Sequence, residues 1–239
     1  MHVSTASLEK QLFVPETKFG VWFLGTDTWF NFVLKEATFD LQRLIGDKSA
    51  TFPVIVDVGC GRGRSFRLLH MTFRPTRLIG VEMDEENVEV ARARAKQDRV
   101  KVELLTNDCA AIDLPDDSAD LVFCHQTFHH LVQQERALSE FHRILKPGGL
   151  LLFAESTKAY IHSWIIRWLF AHPMDVQRTA EQYVAMVRAA GFELADDKVS
   201  YPYLWWSRSD FGVAERFGVR PKAEREETLV NLVARKPRL

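Results

Sequence analysis

The chain reads as an α/β protein, a doubly wound and mostly parallel sheet with helices on both faces and a helical N-terminal cap. Three observations predict this. From Phe52 onward, short β-branched runs alternate with longer amphipathic segments. The first such run, Val54-Ile-Val-Asp-Val58, breaks into a glycine-rich turn, Gly59-Cys-Gly-Arg-Gly63. The second ends in a carboxylate, Gly80-Val-Glu82, about twenty residues beyond that turn.

Residues 8–45 read as mostly helical and rich in aromatics, and Gly46-Asp-Lys-Ser closes them with a C-cap glycine and turn residues. The first strand is Val54–Val58, buried as its β-branched residues suggest, and Arg64–Met71 forms a helix. The second strand is Arg77–Glu82. Asp84 then caps a helix to Gln97 with acids in its first turn. Val100–Leu105 and Asp120–Cys124 are the third and fourth strands. A helix over Gln133–Leu145 is stopped by Lys146-Pro-Gly-Gly149, a structural turn into a fifth strand at Leu150–Ala154. Thr179–Ala190 is helical, ended by Gly191. Phe192–Trp206 and Thr228–Arg235 supply two more strands, and the long connection between them suits an antiparallel pair. The expected organisation is a cap over residues 1–50 and a ligand-binding domain over 51–239, with pocket-forming insertions at 156–178 and 207–227.

With 239 residues, 46% of them apolar, the chain can build one sizeable core. A net charge of −1 argues against duplex DNA or an anionic bilayer as the main partner. Cys60, Cys109 and Cys124 are widely spaced and odd in number, which fits reduced thiols and a cytoplasmic location. The N-terminus carries no secretory signal pattern, and no apolar run is long enough to span a bilayer. Trp164–Phe170 is the most lipid-like stretch, but it carries Arg167 and reads first as pocket wall or dimer contact. A homo-oligomer stays open.

The glycine turn lets a ligand approach backbone, and the helix after it turns free N–H groups toward that ligand. The two acceptor oxygens of Glu82 match the two hydroxyls of a ribose diol. Taken alone, the turn fits a nicotinamide site, an S-adenosylmethionine site or a plain tight turn. It reads GxGxG, with Arg64 where a dinucleotide fingerprint has its third glycine.

Further segments follow in order: Gly80-Val-Glu-Met-Asp84, Asn107-Asp-Cys-Ala110, Leu114-Pro-Asp-Asp-Ser-Ala-Asp-Leu-Val122, Phe128-His-His-Leu131 and Phe141-His-Arg-Ile-Leu-Lys-Pro-Gly-Gly-Leu-Leu151. Together with the glycine turn, they make the chain resemble the class I S-adenosylmethionine-dependent methyltransferases. The likeness is to the branch holding the ubiquinone and menaquinone C-methyltransferases and many small-molecule enzymes, and it covers roughly residues 52–156. It implies a seven-stranded sheet with a final antiparallel hairpin, and S-adenosylmethionine as cofactor. It also implies roles. Gly59, Cys60 and Gly61 would line the methionine part of the cofactor, with Asp57 oriented toward its ammonium. Glu82 would hold the ribose, Met83 would lie against the adenine, and Asp108 would accept from the adenine amino group with the Cys109 N–H beside it. His125 would lie by the sulfonium, and His129-His130-Leu131 would start the helix after the fourth strand.

His125, His129 and His130 are candidate general bases, since a neutral imidazole titrates near working pH. His125 and His129 have helical metal-ligand spacing, but they fall at a strand end, so no metal is expected. Phe19, Trp22, Phe23 and Trp29 read either as core of the cap or as an apolar lid with a cation–π contact to the sulfonium. Trp164, Trp168, Phe170, Tyr201, Tyr203, Trp205 and Trp206 read either as packing or as acceptor pocket. The expected activity is methyl transfer to a small, largely apolar or aromatic acceptor at oxygen, carbon or nitrogen. The alternatives are a nicotinamide-dependent oxidoreductase, which would lack a Tyr-x-x-x-Lys pair here, and a non-catalytic cofactor-binding relative. No nucleic-acid partner is expected.

Overall fold

The structure, a computed structural model, describes residues 16–47, 49–202, 218 and 228–238. Its strands are β1 (Val54–Val58), β2 (Arg77–Glu82), β3 (Glu103–Thr106), β4 (Ala119–His125), β5 (Leu145–Ser156), β6 (Val199–Ser200) and β7 (Leu229–Arg235). They form one seven-stranded sheet in the order β3-β2-β1-β4-β5-β7-β6. β1 to β5 are mutually parallel, and β7 runs antiparallel to both β5 and β6. The order reverses between β1 and β4, which opens a crevice beyond their carboxyl ends, the usual ligand position in such sheets.

The helices are α1 (Lys18–Leu24), α2 (Asp27–Trp29), α3 (Lys35–Ile45), α4 (Phe66–Phe73), α5 (Glu85–Gln97), α6 (Gln134–Ile144), α7 (Lys158–Ile161), α8 (Trp164–Leu169) and α9 (Ala180–Ala189). A π-helical stretch, Phe30–Leu34, joins α2 to α3. Successive strand residues point to opposite faces, so the sheet carries two cores. Ile55, Leu121 and Leu152 pack with Leu41 of α3 and Leu69 of α4 on one face. Val56, Val122 and Leu151 pack with Phe141 of α6 and Tyr183 of α9 on the other. α3 therefore belongs to a helical layer. The Asp40 carboxylate binds it to the sheet edge, accepting from Asn231 Nδ2 at 2.9 Å and from the Ser200 hydroxyl.

Several boundaries differ from expectation. The third strand begins at Glu103, where pairing with Ile79 starts, because the buried Val100 instead returns its N–H to Ala95 and closes α5. Lys146-Pro-Gly-Gly149 lies inside β5, so helix α6 passes directly into strand. The irregularity is absorbed by a register shift opposite Ala119–Leu121 and by Gly148, at φ +82°. His129 and His130 occupy a separate 3-10 turn, Phe128–His130, and α6 starts only at Gln134. Phe128 sets that turn by burying its ring among Phe153 (5.1 Å between centroids) and Tyr183 (5.9 Å). Among the described residues, the expected sixth strand is present as Val199–Ser200 plus a lone bridge at Glu193, because a 3-10 turn over Asp196–Lys198 interrupts it. Residues 8–15, Tyr203, Trp205, Trp206 and nearly all of 207–227 lie outside the described residues.

Candidate active site

The carboxyl ends of β1, β2 and β4 open into one cavity of about 340 Å³. Asp57, Gly59, Cys60, Gly61, Glu82, Met83, Asp108, Cys109, His125 and His130 all line it. Of the candidate cofactor-binding residues and candidate bases read from the sequence, only His129 lies off its wall.

The glycine turn folds as it does for two reasons. Gly59 (φ +65°) and Gly61 (φ +52°) take left-handed conformations that side chains resist. A Cβ on Gly59 would also meet Thr127 Cγ2 at 2.0 Å, whereas a Cβ on Gly61 would meet no atom within 4 Å. Gly61 thus presents bare backbone to open cavity, a cradle that a side chain would fill. Thr127 locks the turn from the β4 side, its hydroxyl donating to Gly59 O at 3.0 Å. The Cys60 N–H donates to Val81 O at 3.0 Å from the β2 side.

Glu82 terminates β2 with its carboxylate against this turn. Oε2 accepts the Gly61 N–H at 2.9 Å, and Oε1 accepts those of Met83 and Asp84, each at 3.0 Å. Burial raises its proton affinity, opposed by these three donors. A carboxylate offers about four acceptor positions, so the three backbone bonds leave about one position for a ligand hydroxyl. Gripping both hydroxyls of a diol therefore requires Glu82 to share or release a backbone donor.

Asp57 is buried in β1 and accepts from the Ser65 hydroxyl. Burial pushes its carboxyl up to about 7, with the charge of Glu82 adding to the rise. Asp108 Oδ1 accepts the Ala110 N–H at 2.9 Å, shaping the turn after β3. His125 is stacked on Phe123 (5.9 Å, 8°) and meets Trp29 edge-on at 5.5 Å. Burial pushes this imidazole down to about 4, so it lines the cavity in its neutral form. Its Nε2 has no partner among the described residues.

His129 is buried behind the wall, its Nδ1 2.6 Å from Glu155 Oε2. Glu155 is itself fully buried, and its Oε1 accepts the N–H groups of Thr127 and Phe128 at 2.9 and 2.8 Å. Those donors and His129 hold the carboxyl below its usual range despite burial. His130 borders both the main cavity and a smaller one of about 50 Å³ beside it.

The N-terminal helical segment supplies the far wall through Val21, Leu24, Gly25, Trp29 and Leu34. Of the aromatic lid candidates, Trp29 reaches the main cavity and Phe23 only the smaller one, while Phe19 and Trp22 are exposed. Phe170 borders the smaller cavity, but Trp164 (76% exposed) and Trp168 (79%) face solvent and form no pocket wall.

Residues 56–153 match the family described as a methyltransferase domain. A ubiquinone biosynthesis O-methyltransferase of Cereibacter sphaeroides is 26% identical over 198 residues, 74% of this chain and 78% of that protein. The 27-O-demethylrifamycin SV methyltransferase of Amycolatopsis mediterranei is 27% identical, with 91% of this chain and 81% of that protein covered. Residues 56–153 thus match a methyltransferase domain, and the chain is similar to a probable S-adenosylmethionine-dependent methyltransferase of Mycolicibacterium smegmatis, 30% identical over 143 residues. The fold agrees: a chain of the Haloferax volcanii complex with the Trm112 methyltransferase activator superposes at TM-score 0.66 and 21% identity, covering 93% of this chain and 97% of that one. Against three of the curated relatives, the chain spans 52%, 29% and 40% of their lengths.

Several residues of the cavity and its surroundings carry little or no signal in the sequence. Arg64 donates to the carbonyls of Gly25 and Thr26, fastening the α1–α2 junction over the glycine turn. Glu155 did carry a signal, an acid ending an apolar run as Glu82 does. Thr127 and His172 carried none, because only the fold brings them to the site.

Proposed function

We propose that the chain transfers a methyl group from S-adenosylmethionine to a small, largely apolar acceptor, with oxygen the preferred atom. The observation that supports this best is the convergence of the Gly59–Gly61 backbone, Asp57, Glu82 and His125 on one cavity. Gly61 would receive the methionine part of the cofactor, Asp57 its ammonium, Glu82 a ribose hydroxyl, and Met83 and Asp108 its adenine. The bound cofactor supplies an electrophilic methyl on a sulfonium with a good leaving group. The remaining work of the protein is to align the acceptor and exclude water.

The acceptor side is apolar, with Leu24, Trp29, Leu34, Phe123 and Leu131 on the wall. That chemistry suits an apolar or aromatic acceptor. The preference for oxygen draws on the relatives named as O-methyltransferases. Among the candidate bases, His125 is a poor one, since its imidazole protonates only near 4. The three buried free thiols support a reducing compartment such as the cytoplasm. Among the described residues no helix is long and apolar enough to cross a membrane.

Calorimetry with S-adenosylmethionine and S-adenosylhomocysteine tests the reading. One binding site per chain is expected for each. Failure of both to bind at high micromolar concentration would refute it.

A further inference from the structure

Three imidazoles meet where two distant segments converge. His129 and His130 sit in the turn after β4, and His172 lies in the segment between α8 and α9. One ring nitrogen from each lies within 4.8 Å of the other two. The ring centroids are 4.3 Å apart for His129–His130, 5.2 Å for His129–His172 and 4.9 Å for His130–His172. We propose that these three histidines form a nitrogen-donor site for a divalent transition-metal ion of the zinc, cobalt and nickel group.

The surroundings are those of a built site. The Nδ1 of His129 is taken by Glu155 Oε2 at 2.6 Å, and both side chains are buried. A carboxylate on one ring nitrogen fixes the tautomer and leaves the other nitrogen, here Nε2, for an ion. Glu155 cannot swing away, since the N–H groups of Thr127 and Phe128 hold its other oxygen.

The two segments are also fixed to each other. The Gln177 amide donates to His129 O and to Pro173 O, both at 2.8 Å. One side chain thus spans from the turn bearing His129 to the residue after His172.

The cluster has an open side. His129, His130 and His172 all border the small cavity, and so does Glu16, whose Oε2 is buried without a partner among the described residues. Three histidines with a free position is the pattern of a site that keeps an exchangeable ligand. An imidazole donor set suits zinc, cobalt, nickel and copper better than magnesium or calcium.

The small cavity meets the main one at Glu16, Leu24, Trp29, Gln126 and His130. On the function proposed above, and only there, an ion in this position would contact the acceptor and favour its ionised hydroxyl. Metal binding itself does not depend on that function.

The test adds Co²⁺ alone to the full-length, metal-stripped protein and follows visible absorption, with Zn²⁺ as competitor and S-adenosylhomocysteine calorimetry in parallel. The expected result is a saturable tetra- or pentacoordinate cobalt band at about one ion per chain, lost on adding Zn²⁺. His172→Gln and His130→Gln, both at partly exposed positions, should each weaken cobalt binding about tenfold or more. Both should retain the parent's circular dichroism. Absence of a saturable band in the parent, or an unchanged band in both variants, would overturn the proposal. Cobalt binding without S-adenosylhomocysteine binding would sink the functional reading and leave the metal site standing. The converse would do the opposite.

Discussion

Asp57 and Glu82 place two acids beside one turn, and each makes a separable prediction. The Asp57 carboxyl protonates near 7 in the folded chain, against an ordinary value of 3.8. Between those values the native state binds the extra proton, so its stability falls as pH rises through this window. Asp57→Asn removes the penalty. The ligand-free variant should be more stable than the parent at pH 8 by about 1–3 kcal/mol and nearly equal at pH 4. Denaturant titrations at the two pH values check this. A cationic ammonium favours the ionised carboxylate, so parental affinity for S-adenosylhomocysteine should rise through pH 7 while that of the variant stays flat. Glu82→Gln turns one acceptor oxygen into a donor facing a backbone N–H. It should cost about 1–3 kcal/mol of stability and weaken S-adenosylhomocysteine about tenfold or more, read by calorimetry. An unchanged affinity would detach Glu82 from the cofactor.

At the scale of elements, the glycine turn works only because three neighbours hold it. The β2 backbone takes its Cys60 N–H, Thr127 from the end of β4 takes its Gly59 carbonyl, and Arg64 fastens it to the cap. Gly59→Ala sets a Cβ 2.0 Å from Thr127 in a left-handed conformation. The turn must then shift, and S-adenosylhomocysteine affinity should fall by about two orders of magnitude, since misplacement by about an ångström is enough for such losses. Pairing the change with Thr127→Ala relieves the clash but not the strain, and part of the affinity should return. A double-mutant cycle measures that coupling.

The main cavity lies at a seam of the whole molecule, with β1, β2 and β4 on one side and the N-terminal helical segment on the other. A ligand that binds only the folded chain adds to global stability. Saturation at about 100 times the dissociation constant adds about 2.7 kcal/mol, which should raise the melting temperature by about 5–10 °C. Thermal scans with and without S-adenosylhomocysteine test it. Cys60, Cys109 and Cys124 are all buried, and burial drives their thiols well above the ordinary range. Thiol reagents should therefore leave the native chain unmodified. Modification should appear in step with unfolding and slow further when ligand is bound.

The parallel sheet, its antiparallel finish and the residues at the mouth of the cavity were written in local chemistry. β-branched runs make strands, positive-φ glycines make the turn, and an acid two residues beyond Gly80 must end at the sheet's carboxyl edge. These depend on neighbours in sequence, so a linear reading reaches them. The same local logic misjudged Lys146-Pro-Gly-Gly149, because a bulged strand and a helix stop use the same residues. It also left open whether Trp164 and Trp168 form pocket wall, packing or a contact between copies, since aromatic spacing does not say which face finds a partner. Their exposure removes the first two. Only the tertiary structure decided that His129 turns away from the cavity toward Glu155, and that His172 comes from more than forty residues further on to join it. Such encounters are set by how layers pack. No residue's own propensity carries that information.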